Sequence, residues 1–175
     1  MEFSDPKKNL KRFGIVSGMT VADLGAGSGF YTLEAAHMVG EEGRVYAIDI
    51  QRESLSRIKS IMNEHGLGHV HIIWGDAEIS GGTKLADSSI DRAIASNILF
   101  QLEEKGLFVE ELRRILKEGG RVLVVDWLPG GDKFGPTDQY IVPKDHALNL
   151  FLKNGFQFEY EFPAGERHYA LVFKK

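Results

Sequence analysis

The chain contains no cysteine, which removes disulfides, thiolate metal sites and thiol nucleophiles and accords with a reducing compartment. It has no apolar run approaching the roughly 18 residues that a membrane span requires. The opening Met1-Glu2-Phe3-Ser4-Asp5-Pro6 carries no apolar signal core, so a cytoplasmic protein is expected. Internal repeats, low-complexity tracts and linkers are missing, and 175 residues suit one domain, 1–175, around a single core. A net charge of −4 exerts no general pull on nucleic acid. The local basic cluster Lys7, Lys8, Lys11 and Arg12 reads as the solvated face of a first helix, although it leaves nucleic acid open as a partner. No group of His, Asp and Glu has metal-ligand spacing, so no metal is expected.

What is present is an alternation of strands and helices. Thr20–Leu24, Arg44–Ile50, Val70–Trp74, Arg92–Ser96 and Arg121–Asp126 are nearly continuous apolar runs, as parallel strands covered on both faces tend to be. Phe30–Val39, Gln51–Glu64, Glu103–Lys117 and Pro143–Asn154 read as helices, with stops at Gly40, Gly66, Gly119 with Gly120, and Gly155. Phe156–Phe162 and His168–Lys174 are two further strands joined by Pro163–Arg167. That link is too short for a helical crossover and makes an antiparallel hairpin. The expected fold is α/β: a Rossmann-like, doubly wound, mostly parallel seven-stranded sheet, with five α/β units and an antiparallel last strand.

The turn after the first strand carries the chemistry. In Asp23-Leu24-Gly25-Ala26-Gly27-Ser28-Gly29-Phe30 a strand ends, glycines fall at alternate positions and a helix begins. Such a turn lets a ligand approach the backbone, and the helix N-terminus suits a carboxylate or phosphate. A dinucleotide fingerprint wants a third small residue where Phe30 stands. Asp23, just ahead of the glycines, suits a cationic amine better than a pyrophosphate. S-adenosylmethionine offers an amine, a carboxylate and a ribose, and is the cofactor these residues favour. Asp49 ends the second strand, 20 residues after Gly29, where a carboxylate accepts both ribose hydroxyls. Ile50 is placed to cover one face of the adenine. At the end of the third strand, Asp76 is placed to accept from the adenine amino group and the Ala77 amide to donate to the ring. Each acid also has a plainer reading, Asp49 as a helix cap and Asp76 as a turn residue.

These segments resemble the class I S-adenosylmethionine-dependent methyltransferases over essentially the whole chain. The resemblance rests on Val21–Gly29, Ile48-Asp49, Gly75-Asp76-Ala77, Asp91–Asn97, Leu116–Val122 and the closing antiparallel strand. Within that class the chain looks most like the small methyltransferase-domain proteins related to ubiquinone and menaquinone methyltransferases. The resemblance implies that Asp23 and the glycines, with Ala26, hold the methionine part, Asp49 the ribose, and Asp76 with Ala77 the adenine. It places Asn97 near the methyl group. Asp91 begins its strand, at the opposite end of the sheet, and reads as structural.

Methyl transfer from a sulfonium needs alignment more than a proton-transfer apparatus. The lack of thiols closes the covalent route to pyrimidine carbon methylation and thiol-assisted arsenic methylation. Ser96-Asn97-Ile98-Leu99 is not the Asn/Asp-Pro-Pro-aromatic motif of amino-methylating nucleic-acid enzymes. A small-molecule acceptor, quinone-like or otherwise apolar, is the leading expectation. An RNA or protein acceptor and a non-catalytic cofactor-binding protein are the alternatives. His168 and then His146 are the candidate bases, and Tyr31, Asp126, Trp127, Tyr140 and Tyr169 the candidate acceptor contacts. Related quinone methyltransferases are longer and cover the acceptor with extra helices. Here the glycine- and proline-rich loop Trp127–Val142, which includes Pro129, Gly130, Gly131, Gly135 and Pro136, is the only sizeable insertion and is expected to act as a lid. A second subunit completing the site, as in a homodimer, is the other expectation.

Overall fold

Asp5 opens the first helix, α1 (Pro6–Phe13), by accepting from the Lys8 amide at 3.0 Å, and Gly14 closes it in the left-handed conformation. The chain then alternates as β1 (Thr20–Leu24), α2 (Phe30–Val39), β2 (Arg44–Asp49), α3 (Arg52–Glu64), β3 (Val70–Trp74) and β4 (Ile90–Ser96). After these come a 3-10 turn (Leu99–Gln101), α4 (Lys105–Ile115), β5 (Leu116–Trp127), α5 (Lys144–Lys153), β6 (Gln157–Gly165) and β7 (His168–Lys174). This computed structural model describes residues 4–130 and 135–175. Met1, Glu2 and Phe3, and 131–134 with Gly131 of the expected lid, lie outside the described residues. Among the described residues no helix is long and apolar enough to cross a membrane.

The strands form one seven-stranded sheet in the order β3-β2-β1-β4-β5-β7-β6. Strands β1 to β5 pair in parallel, while β7 runs antiparallel to both β5 and β6. The doubly wound sheet with an antiparallel last strand is therefore as expected. Alternation along each strand splits the core into two layers. Leu10, Phe13, Ala35 and Val39 of α1 and α2 pack on Val21, Ile94, Val125 and Ala170. Phe108, Leu112 and Phe151 of α4 and α5 pack on Ala22, Val124, Leu171 and Phe173. Ile58 and Met62 of α3 cover Ala47.

Four expectations need correction. No helix fills the β3–β4 crossover, so four of the five expected α/β units carry a helix and the third does not. In its place, residues 75–89 make turns anchored from outside by buried Glu111 of α4. Its carboxylate accepts from the Gly81 and Thr83 amides (2.9 and 3.2 Å), the Thr83 hydroxyl (2.6 Å) and Arg114 (2.7 Å). Burial alone would raise this carboxyl, but the donors from Arg114, Thr83 and Gly81 outweigh it and hold it at about 2. Second, α4 is shorter than Glu103–Lys117. It ends at Ile115 because Leu116 turns extended and pairs with Ile90, which buries both. Third, β6 continues through Pro163 to Gly165, and the hairpin turn is only Glu166-Arg167. Proline is tolerated there because β6 is an edge strand. Fourth, β4 begins at Ile90, two residues before the expected Arg92, and a 3-10 turn follows it. Asp91 sits at the amino end of the sheet, accepting from the Thr20 amide and Lys117, as its structural reading requires.

Candidate active site

The carboxyl ends of β1 to β4 open onto two adjoining cavities that share Gly25, Gly27 and Gln101. One, of about 150 Å³, is walled by Asp49, Ile50, Asp76, Ala77, Glu78 and Leu102. The other, of about 260 Å³, is walled by Ser4, Asp23, Ala26, Tyr31, Ser96 and Asn97.

The glycine turn separates them. Gly25 and Gly27 adopt φ of +70° and +50°, where a side chain is strained. A Cβ at Gly25 would also come within 2.3 Å of the Ile98 side chain. The amides of this turn are already engaged. Gly25 and Ala26 both donate to the Ile48 carbonyl (2.8 and 3.1 Å), and Gly27 donates to Asp49 Oδ2 at 2.9 Å. A pyrophosphate cradle needs such amides free. Gly29 caps α2 at φ +80° and lines neither cavity.

Asp49 is held from two sides, because its Oδ1 accepts from the Gln51 amide at 2.8 Å, just ahead of α3. The helix-end contact and the cavity position therefore coexist. Asp76 likewise accepts from the Glu78 amide at 2.9 Å while it faces the first cavity. Ile50, 61% exposed, forms part of the same wall. Its carbonyl accepts from the Trp74 indole at 3.0 Å, and Arg52 lies 4.0 Å above that indole. Asp23 is fully enclosed and accepts from the Thr32 hydroxyl at 2.6 Å. Burial pushes its carboxyl up to about 6, the neighbouring Asp49 charge adding to the rise. Asp23, Asp49, Asp76 and Glu78 line the two cavities, and among the described residues no Lys or Arg does. The field there favours a cation and opposes a pyrophosphate.

Tyr31 fixes the roof of the second cavity. Its buried hydroxyl meets Ser4 Oγ at 3.0 Å and Asn9 Nδ2 at 2.9 Å, so the segment leading into α1 lies over the site. Asn97 leaves β4 at φ +54°, a conformation asparagine tolerates. Its amide donates to the Val125 carbonyl (2.8 Å), its carbonyl accepts from Gln101 (2.9 Å), and its Oδ1 is buried without a partner among the described residues.

The remaining candidates stand outside these two cavities. Trp127 and His168 are register partners whose rings lie 4.2 Å apart. His168 is 3% exposed, and burial, with Arg167 beside it, pushes its imidazole down to about 4. A group so reluctant to take a proton is a weak base, although a neutral imidazole keeps one donor and one acceptor nitrogen. Tyr169 projects to the other face, where its hydroxyl donates to the Val142 carbonyl at 3.0 Å and burial raises its pKa. Asp126 accepts from the Leu99 and Trp127 amides (2.9 and 2.8 Å), and burial lifts it to about 6. His146 is exposed on α5 and Tyr140 is exposed in the loop that follows β5. Ser4, Glu78, Gln101 and Leu102 line the cavities without having been singled out in the sequence. Only the tertiary fold brings them there.

The comparisons with known proteins agree with this geometry. Residues 15–135 match a family described as "Methyltransferase domain". The chain is 29% identical to a ubiquinone/menaquinone biosynthesis C-methyltransferase of Klebsiella pneumoniae over 84% of its length, covering 59% of that protein. It is 31% identical to an arsenite methyltransferase of Halobacterium salinarum over 67% of its length, covering 30% of that protein. The chain thus spans less than two thirds of these relatives. An S-adenosylmethionine-dependent methyltransferase structure from Aquifex aeolicus superposes with a TM-score of 0.90 at 29% identity, covering 97% of this chain and 89% of that one. Together with an acidic cleft whose turn amides are already engaged, these matches show that the chain belongs to the S-adenosylmethionine-dependent methyltransferases.

Proposed function

We propose that this protein transfers the methyl group of S-adenosylmethionine to a small, largely apolar acceptor. The observation that carries the reading is the pair of acid-lined cavities meeting at Gly25 and Gly27. The first has a carboxylate for ribose, Asp49, already fixed by the Gly27 and Gln51 amides, and Asp76 and Ala77 for the adenine. The second offers Asp23 to a cationic amine and Asn97 beside the reacting carbon. The cofactor supplies a methyl carbon activated by its sulfonium. The chain has to hold the acceptor in line with that carbon, and positioning of this kind is worth up to ~7–11 kcal/mol.

Two observations favour a small acceptor over RNA or protein. The most extensive curated likeness described here, over 84% of the chain, is to an enzyme of quinone biosynthesis. In the basic cluster of α1, Arg12 donates to the Pro163 carbonyl at 3.1 Å and stacks on Phe162, and Lys8 pairs with Asp5 at 3.5 Å. These two cations are engaged within the fold. Calorimetry with S-adenosylmethionine, its demethylated product and NAD tests the ligand class, and NAD binding without the other two would overturn it. Labelled-methyl transfer into fractionated cell extract tests the acceptor. Label should enter the small-molecule fraction, and label on RNA or protein alone would sink the acceptor class.

A further inference from the structure

Five buried side-chain polar atoms have no hydrogen-bond partner among the described residues. Arg92 Nε belongs to the amino end of β4. The other four, Asn97 Oδ1, Trp127 Nε1 and both ring nitrogens of His168, gather at the opposite edge of the sheet. They belong to three neighbouring strands, because β4, β5 and β7 are adjacent, Ser96 pairs with Val125 and Trp127 pairs with His168.

Residues two apart on a strand share a face. Trp127 therefore faces the same way as Val125, and His168 the same way as Ala170. Both of those lie in the apolar layer beneath α1 and α2 that also contains Tyr31. Trp127 and His168 thus lie on the face of the sheet that carries Ser96 of the second cavity wall, beyond that wall by up to two strand spacings, about 10 Å. Folded proteins pair nearly all their buried polar atoms, so four orphans along one edge of the sheet, three of them in one ring pair, call for partners from outside the chain. Their inventory is specific. Trp127 Nε1 only donates, Asn97 Oδ1 only accepts, and a neutral imidazole offers one donor and one acceptor. Two donors and two acceptors, with no charge among them, match an uncharged group that both gives and receives hydrogen bonds.

We infer that Asn97, Trp127 and His168 form the hydrogen-bonding wall of the acceptor subsite, and that the acceptor carries a hydroxyl group directed at Trp127 and His168. This rests on the methyltransferase reading and deepens it. His168 here binds the acceptor and does not remove its proton, which agrees with its resistance to protonation. Asp126, Arg167 and Tyr169 surround the pair from the same strands. Asp126 and Tyr169 lie on the other face of the sheet, while Arg167 stacks on Trp127 at 5.7 Å.

Phenol and toluene, alike in shape but differing in the hydroxyl, serve as probes on protein saturated with S-adenosylhomocysteine. The readout is the indole N–H resonance of Trp127 in a nitrogen-15 correlation spectrum, assigned with Trp74→Phe. Phenol should shift that resonance and toluene should leave it in place. His168→Phe should weaken phenol binding about tenfold, the effect of one lost buried hydrogen bond, with S-adenosylhomocysteine affinity unchanged. His168→Gln, which keeps a donor and an acceptor, should recover part of the loss. A Trp127 resonance that phenol leaves unmoved, or moves no further than toluene does, overturns the subsite. Failure of S-adenosylhomocysteine to bind would instead overturn the functional reading. The wild-type titration stands whether or not either His168 variant folds.

Discussion

The two sides of the cleft use their polar groups differently. Around the ends of β1, β2 and β3, the groups are already paired inside the protein. The turn amides are taken by Ile48 and Asp49, Asp49 is held from two directions, and Asp76 is fixed by its own turn. Around the ends of β4, β5 and β7, four buried atoms are unpaired among the described residues. Pairing within the chain organises a surface before its ligand arrives, so the side proposed for the cofactor is built in advance. The unpaired side bears a standing cost that a ligand repays, which suits an acceptor that must be told apart from its analogues by its own polar groups.

The largest test of this contrast lies behind the cofactor side. Glu111→Ala removes the acceptor of the three donors that hold residues 81–83 against α4 and leaves Arg114 without its buried partner. It should cost about 3–5 kcal/mol in urea unfolding and loosen the loop that carries Asp76. Because its carboxyl is held low, the Glu111 contribution is complete above the unfolded value and fades as pH falls toward about 2. Next in size, Asp49→Ala should weaken S-adenosylhomocysteine binding by about 1–3 kcal/mol in calorimetry. No change there would reduce Asp49 to a link between the turn and α3.

Asp23 gives a smaller effect that depends on pH. Its carboxyl, raised to about 6, is mostly protonated below that pH, and a cationic ligand favours the ionised form. S-adenosylmethionine affinity should therefore climb as pH rises toward 6, by at most about tenfold per unit, and level off above it. Asp23→Asn should flatten the profile, and a persisting slope would point to another group. The smallest effect belongs to the unpaired side. His168→Phe removes a polar ring that makes no hydrogen bond, so stability at pH 7 should change by less than about 1 kcal/mol. At pH 5 the variant should gain relative to wild type. An imidazole held down to about 4 loses folded-state stability as pH falls from the unfolded value toward 4. Asp23 and Asp126, both raised, change in the opposite sense across this range. Denaturation midpoints at the two pH values, with and without the substitution, check this.

The cofactor side was legible in the sequence because its residues fall at strand ends in a fixed order. The glycines after β1, Asp49 after β2 and Asp76 after β3 are local consequences of strand–turn–helix units, and spacing alone places them along one crevice. The side proposed for the acceptor was not legible in that way. His168 and Trp127 were named for being near the carboxyl edge, but their mutual packing and isolation from partners depend on β7 returning beside β5. His146 and Tyr140 share the same end of the sheet, yet both point to solvent. Ser4 carries no signal at all, and is held at the cavity by its contacts with Tyr31 and Asn9.

By itself the sequence determined the sheet, its antiparallel closure and the acidic, glycine-lined half of the cleft. These follow from apolar periodicity and from turn residues whose backbone demands are local. The tertiary structure decided what anchors the β3–β4 crossover, what roofs the second cavity and which polar groups are left unpaired. Those properties depend on contacts between residues far apart in the chain, such as Glu111 with Thr83, Asn9 with Tyr31 and Trp127 with His168. Burial and pairing are set by all the neighbours at once, and no local pattern records them.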